Sequence, residues 1–401
     1  MRILSVSAQK PDSTGSGVYL AQTVASLARN GHEQAVIYGM SPEDEPILPE
    51  GVKHHPVRFE TEELPFPVAG MSDVMPYRAT RYRDFTPEML VRFQDAFSHT
   101  IATAIQEFQP DLIITHHLYI VSSIVARLAG DIPVAAVCHG TCLRQLEWHD
   151  LANGFVREGI ALADRVFSLT GPQVDRIEHL LEIDRDRITV LGTGFDDSEF
   201  HPRADWKPLS GCERIDALFV GKICDEKGVP SMLRAMDLLE LPADRLSLKL
   251  VGGSNDEECH LRVSRQAEES RYPVRLLGKV SQSDLVANYR EADMLVLPSF
   301  YEGLPLVIIE AMACGAVVVC TDLPGIRDWI ESVAPDAPIV FVEPPRMASV
   351  DEPLEADLPA FEQRLATAMT KACSMEGNPS SVEQLSWDSL AERLLESMNL
   401  L

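Results

Sequence analysis

Two carboxylates eight positions apart, Glu302 and Glu310, lie in a segment that should otherwise repel charge. The run 306–314 is apolar almost all round, as a helix packed between a sheet and its neighbours must be. An ionised carboxylate in its middle costs roughly 3–5 kcal/mol if left unpaired, so Glu310 needs a polar partner. Glu302 stands just before the helix, beside Gly303, Leu304 and Pro305. Proline suits a first helical turn, where its missing N–H would be unpaired anyway, and Gly315 supplies a C-terminal stop. The segment therefore predicts a helix whose first N–H groups, near Leu306 and Val307, are free to face an anion. One carboxylate lies at its mouth and a second inside. Amides for a phosphate and carboxylates for hydroxyls suit a phosphate-bearing ligand with sugars on both sides.

Other residues of the right type follow strands. Gly221-Lys222 and Lys227 place two mobile cations after an apolar run, where both can reach a diphosphate; the plain alternative is two solvated lysines. Gly252-Gly253 and Gly278-Lys279-Val280 end two further strands. Gly15-Ser16-Gly17 opens a helix after the first strand, where glycine lets the backbone approach an anion or merely makes a tight turn. His139 ends a strand just before Gly140; an isolated histidine is usually structural, but this position favours a ligand contact. His116, His117, Cys138, Cys142 and His149 raise zinc, yet their spacings match no familiar ligand pattern, and no metal is expected. Asp184 and Asp186 could hold Mg²⁺ but sit in a polar turn. The Pro-, Met- and aromatic-rich stretch 65–85 carries Arg78, Arg81 and Arg83. Arg78 and Arg81, with Arg144, are candidates to receive an anionic acceptor through bidentate contacts.

These residues need a scaffold that gathers strand ends. Short apolar runs alternate with longer amphipathic ones, the signature of βα units and parallel sheets. Strands are expected at 2–6, 34–38, 111–115, 134–138, 165–169 and 187–191, then at 216–220, 247–251, 274–277, 294–297, 317–320 and 339–342. The polar stretch 196–208 reads as a linker, with the boundary near 200–210. The organisation expected is an N-terminal Rossmann-like domain over 1–200 and a C-terminal Rossmann-like domain over 211–378. Residues 379–401 should form a C-terminal helix packing across the domains. Because ligands of open α/β sheets bind at the carboxyl edge, two such edges imply a ligand in a cleft between them.

Composition narrows the partners. The chain has 401 residues, 45% of them hydrophobic, enough for two cores, and a formal net charge of −26 with a pI near 4.8. That charge repels nucleic acid and anionic membranes on average, so neither is an expected partner. The start, Met1-Arg-Ile-Leu-Ser-Val-Ser, is a strand pattern without a signal peptide's apolar core, and no apolar run is long enough for a bilayer. The eight cysteines form no CxxC pair, which suits free thiols in a reducing compartment. A soluble cytoplasmic protein is the expectation, with oligomeric state open and a homodimer compatible with it.

Taken together, Glu302 and Glu310 in their Glu-Gly and Glu-Ala-Met-Ala-Cys-Gly contexts resemble the E-x7-E motif of the GT4 family of retaining glycosyltransferases, over nearly the whole chain. Gly221-Lys222 and Lys227 are similar to that family's Gly-Arg-x4-Lys phosphate clamp, with lysine replacing arginine, so charge survives but the bidentate fork does not. Gly15 and Gly17 match its first glycine-rich loop, Asn30-Gly31-His32-Glu33 the turn before strand two, and His139-Gly140-Thr141 its histidine turn. Gly194-Phe195-Asp196 with Phe200 and Pro202 resembles its hinge, with Thr193 in place of the usual asparagine.

The resemblance implies an α/β protein of the GT-B fold, two Rossmann-like domains with parallel sheets facing each other across a cleft, 1–200 the acceptor domain and 211–378 the nucleotide-sugar donor domain. It implies a hexosyltransferase that needs no cofactor and no metal, takes a nucleotide diphosphate-sugar, UDP-sugar favoured, and glycosylates a hydroxyl of a small molecule or glycan. His139, Glu302, Lys222 and Lys227 would be catalytic. Glu310, Gly303, Leu304, Leu306, Val307, Gly221, Gly253, Lys279 and Val280 would bind the donor, Glu302 meeting its sugar and Glu310 its ribose. Gly15, Ser16 and Gly17 would form the phosphate or acceptor loop. A nucleotide-sugar 2-epimerase or a non-catalytic nucleotide-sugar-binding protein shares the fold. The E-x7-E context argues against the first, and only turnover separates the second.

Overall fold

The computed structural model describes residues 1–400 except 12, 46, 73–74, 208, 210–212, 255, 303 and 350. Gly303, Cys212 and part of the expected linker therefore lie outside the described residues. By contacts the chain forms two compact units, Met1–Thr193 with Trp387–Leu401, and Gly194–Ser386.

In the first unit, β1 (Arg2–Val6), β2 (Glu33–Met40) and β3 (Lys53–Arg58) precede a small two-stranded sheet of β4 (Ala69–Gly70) and β5 (Thr80–Arg81). There follow β6 (Leu112–His116), β7 (Val134–Val137), β8 (Arg165–Ser168) and β9 (Ile188–Val190). The main sheet has seven strands in the order β3-β2-β1-β6-β7-β8-β9, all parallel. The second unit holds β10 (Ile215–Val220), β11 (Leu246–Val251), β12 (Val274–Gly278), β13 (Met294–Leu297), β14 (Val317–Thr321) and β15 (Ile339–Val342). They form a six-stranded parallel sheet in the order β12-β11-β10-β13-β14-β15. Every strand expected from the sequence is present. Inner strands such as β6 and β14 are buried along their whole length, because helices cover both faces of a parallel sheet.

Three strands are additional to those expected: the short pair β4 and β5, and β3, which reads Lys-His-His-Pro-Val-Arg and lacks any apolar alternation. It survives because it is an edge strand, where the absent N–H of Pro56 need not break a ladder. The other difference is at the C-terminus. One helix was expected over about 381–398; instead a 3-10 helix, Pro379–Leu385, ends at an extended Ser386 and a separate helix, Trp387–Ser397, follows. The first piece packs against helix Leu306–Ala313 in the second unit. The second piece belongs to the first unit, so the division falls at Thr193/Gly194 and Ser386/Trp387 rather than near 200–210 and 379.

The reason is burial. Trp387, Leu390, Leu394 and Leu395 are buried with Ile3, Tyr19 and Leu27, each such side chain contributing about 1.5–3 kcal/mol. Ser26 Oγ also donates to the Trp387 carbonyl at 3.1 Å. Among the described residues no helix is long and apolar enough to cross a membrane.

Strand order reverses once in each sheet, between β1 and β6 and between β10 and β13. Those are the points where an open parallel sheet leaves a crevice beyond its carboxyl ends.

Candidate active site

At the β10/β13 reversal the two expected charges meet. Lys227, from the 3-10 turn Asp225–Lys227 after β10, pairs with Glu302, after β13, at 2.7 Å. Lys227 Nζ also donates to the Tyr301 carbonyl at 3.1 Å, and Ser299 Oγ donates to Glu302 at 2.6 Å. Ser299 is fully buried, so the carboxylate is held from beneath by a rigid donor. Close backbone approach permits this. Gly228 adopts φ +66°, and a Cβ there would lie 2.1 Å from the Pro298 carbonyl oxygen. Gly252, at φ +140°, sits so close to the turn after β10 that a Cβ would lie 1.8 Å from the Gly221 carbonyl oxygen. Lys222 is exposed, and the stem of Lys279 lies over Gly253.

Helix Leu306–Ala313 begins beside this pair with Pro305 at its N-cap, not inside its first turn, and no side chain caps it. Among the described residues no side chain accepts from its leading N–H groups, and Leu306 and Val307 are only partly buried. Leu304 and Val280 likewise pack partly buried against the core. Cys314 and Gly315, at φ +98°, end the helix as expected.

Glu310, one turn deeper, is half-buried. Desolvation pushes its carboxyl up to about 7; the Tyr289 hydroxyl opposes that shift and the Glu199 charge adds to it. Among the described residues the buried Tyr289 hydroxyl has no partner in ordinary hydrogen-bonding geometry, so it faces the carboxyl without fully satisfying it. Glu310 thus has spare accepting capacity.

The first unit shows a matching junction at the β1/β6 reversal. Gln9, just after β1, is buried, and its Oε1 lies 3.1 Å from His117 Nε2 and accepts from Ser16 Oγ at 3.1 Å. Ser16 Oγ also lies 3.0 Å from Thr14 Oγ1, which in turn accepts from Gly17 N at 3.0 Å as the N-cap of helix Gly15–Arg29. The Gly15-Ser16-Gly17 loop is thereby fastened internally, and one of the N–H groups expected to face an anion already has a partner. His117 holds φ +69°, a left-handed conformation costing of order 1–3 kcal/mol outside glycine. Its N–H bonded to the Val137 carbonyl (2.9 Å) and its carbonyl bonded to Ser122 Oγ fix that strain.

His139 is half-buried and lies with His116 Nδ1 at 3.0 Å from its Nε2. Burial, with His117 and His116 beside it, holds the His139 imidazole well below its usual range, and burial lowers His116 to about 3. Both rings are neutral near pH 7. Cys138 and Cys142 Sγ lie 3.7 Å apart as free thiols. Among the described residues no group of three or more His, Cys, Asp or Glu side chains could hold a metal ion.

The arginines considered for an anionic acceptor are engaged elsewhere. Arg78 pairs with Glu60 at 3.0 Å, Arg81 with Asp84 at 2.6 Å, and Arg144 lies over the Trp148 ring at 5.5 Å. Sequence reasoning missed Gln9, Ser299 and Tyr289. Their only signal was a polar residue at the exit of an apolar strand or within a core-facing helix, which by itself does not name a partner.

Residues 13–199 match the family described as Glycosyltransferase Family 4, and residues 214–348 that described as Glycosyl transferases group 1. The chain is 26% identical over 352 residues to the glycogen synthase of Mycobacterium tuberculosis H37Rv, covering 82% of this chain and 80% of that one. It is 28% identical over 346 residues to the D-inositol 3-phosphate glycosyltransferase of Saccharomonospora viridis, covering 79% and 75% respectively. Among solved structures it superposes on the sucrose-phosphate synthase of Thermosynechococcus elongatus with a TM-score of 0.60 at 18% identity, covering 100% of this chain and 98% of that one. On Anabaena Alr3699/HepE in complex with UDP and glucose the TM-score is 0.59 at 16% identity, covering 100% of both. These structures share the GT-B fold of two parallel-sheet α/β units.

Proposed function

The chain belongs to the family 4 glycosyltransferases, and from that premise we propose that it moves a sugar, with retention and without a metal, from a UDP-sugar to an acceptor hydroxyl. The observation that carries this reading is the Lys227–Glu302 pair at the strand-order reversal of the second unit. A cation suited to a leaving diphosphate and a carboxylate suited to sugar hydroxyls are held together there, beside an uncapped helix N-terminus. The UDP and glucose bound to the HepE protein of the same fold support the choice of donor.

In this reading Lys222, Lys227 and the N–H groups of Leu306 and Val307 receive the diphosphate. Gly221 and Gly253 let the backbone come close, with Lys279 and Val280 at the base. Glu302 holds the sugar hydroxyls and Glu310 the ribose hydroxyls. Gly303, the next residue in sequence after Glu302, belongs to the same proposed donor-binding set. In the first unit His139 orients the sugar, and the loop Gly15–Gly17 lines the acceptor side. As the anomeric C–O bond breaks, charge builds on the departing phosphate and the lysines and helix amides stabilise it. The acceptor oxygen attacks from the same face and its proton passes to the leaving phosphate oxygen. No enzymic nucleophile is required, and the cations already present neutralise the phosphates.

Calorimetric titration with UDP, GDP and ADP, each in excess EDTA, tests the reading. Selective micromolar binding of UDP is expected, with Glu310→Ala weakening it and Glu302→Ala lowering turnover of UDP-sugar. No binding of any nucleotide by folded protein, or unchanged kinetics in both variants, overturns it.

A further inference from the structure

Between His116 and His139 the geometry determines which nitrogen carries the proton. The rings lie 19° from coplanar with centroids 5.2 Å apart, while Nδ1 of His116 and Nε2 of His139 are 3.0 Å apart. Near-parallel planes at that separation, joined nitrogen to nitrogen, are two imidazoles meeting edge to edge in one plane, the best geometry for an N–H···N bond. They are not stacked face to face. Tyr19 packs edge-on against both, at 6.0 Å from His116 and 5.1 Å from His139, and is itself backed by Trp387 at 5.0 Å. The pair is therefore held in plane by a packed aromatic wall.

A neutral imidazole has one N–H and one lone pair. The other nitrogen of His116, Nε2, is buried and has no partner among the described residues. Were His139 the donor, His116 would keep its own proton on Nε2, as a buried N–H with nothing to receive it. Were His116 the donor from Nδ1, only a bare lone pair would be orphaned. Orphaned buried donors are the rarer of the two faults. Since His116 is neutral, it cannot carry both protons.

We propose that His116 is a positioning residue that donates from Nδ1 to His139 Nε2 and so holds His139 as the neutral Nδ1–H tautomer. His139 then presents a hydrogen-bond donor, not a base, on its remaining nitrogen. That suits an acceptor atom such as a sugar hydroxyl oxygen, and it agrees with chemistry in which the leaving phosphate, rather than the protein, takes the proton. The part about the sugar rests on the proposed function; the tautomer does not.

Long-range ¹⁵N–¹H correlation on the whole protein, labelled at histidine and assigned by loss of signals in His139→Gln, reads the proton's position directly. Expected at pH 7 is a pyrrole-type Nδ1 and a pyridine-type Nε2 on His139. His116→Phe should release His139 into a mixture of tautomers, whereas His116→Asn, whose amide nitrogen can sit where Nδ1 sat, should retain Nδ1–H. With UDP-glucose as donor, His116→Phe should lower kcat by about tenfold, the scale of one hydrogen bond, with KM little changed and His116→Asn recovering most of it. A protonated Nε2 on His139 in the unmutated protein overturns the proposal even if the phenylalanine variant fails to fold, and so does an unchanged tautomer in a folded His116→Phe. Failure of UDP to bind would instead sink the donor reading and leave the tautomer assignment standing.

Discussion

If Glu310 accepts hydrogen bonds from the donor's ribose, binding must first remove the proton that burial leaves on it. Its carboxyl is raised from 4.5 to about 7, chiefly by desolvation, so near pH 6 most of the free protein is protonated there. Two ribose hydroxyls donating to the ionised form would draw the value back down. Taking 4.5 as the limit for the bound state, affinity at pH 5.5 falls below that at pH 8 by about 30-fold, or ~2 kcal/mol. Binding near pH 6 should release close to one proton. UDP-glucose is the ligand to use, because its diphosphate is esterified at both ends and lacks the second phosphate ionisation near pH 6 that would confuse the count. Calorimetry between pH 5.5 and 8, in buffers of different ionisation enthalpy, gives affinity and proton release together. Glu310→Gln should bind more weakly at pH 8 and show a flat profile. A flat profile in the unmutated protein with no proton released, or the same slope in Glu310→Gln, refutes the reasoning.

The same shift has a stability counterpart. A carboxyl with a raised folded value is stabilising while protonated, so its contribution is lost as pH rises from about 4.5 to about 7, by at most ~3 kcal/mol. Urea denaturation at pH 8 should therefore find Glu310→Gln at least as stable as the parent, the mark of a residue kept for binding rather than for folding.

Three further outcomes follow from geometry. Lys227→Met and Glu302→Gln should be non-additive in a denaturation cycle of the unliganded protein, with a coupling of about 0.5–3 kcal/mol, since the groups are 2.7 Å apart; Lys227→Met should also lower kcat by about 100- to 1,000-fold. Gly252→Ala should lower Tm by many degrees or prevent folding, because its Cβ would fall 1.8 Å from the Gly221 carbonyl oxygen, and an unchanged Tm would show that the turn is not so constrained. Trp387→Ala should destabilise the first unit by about 3–5 kcal/mol, read by urea denaturation, as it opens a cavity against Tyr19 and Leu27.

Local pattern alone determined much of this protein. Alternating apolar runs marked the inner strands, because a strand covered on both faces must be apolar along its length. Helix Leu306–Ala313, its stop at Gly315 and the anomalous Glu310 were legible because helix signals and charge in an apolar run are properties of neighbouring residues. Edge strand β3 was not legible, since an edge needs little apolar surface and tolerates Pro56. Nor was the place of Trp387–Ser397: its apolar face is visible in the sequence, but which unit it covers depends on the groove left beside Tyr19 and Leu27. Arg78 and Arg81 read as available cations, yet Arg78 pairs with Glu60 and Arg81 with Asp84 in the fold. Partners at the two junctions were decided by tertiary structure alone. Gln9 meets His117 from 108 positions away, Lys227 meets Glu302, and His116 meets His139, because parallel strand order brings the ends of distant strands to one edge. Residue type says what chemistry a side chain can do, but strand order and packing decide what it does it to.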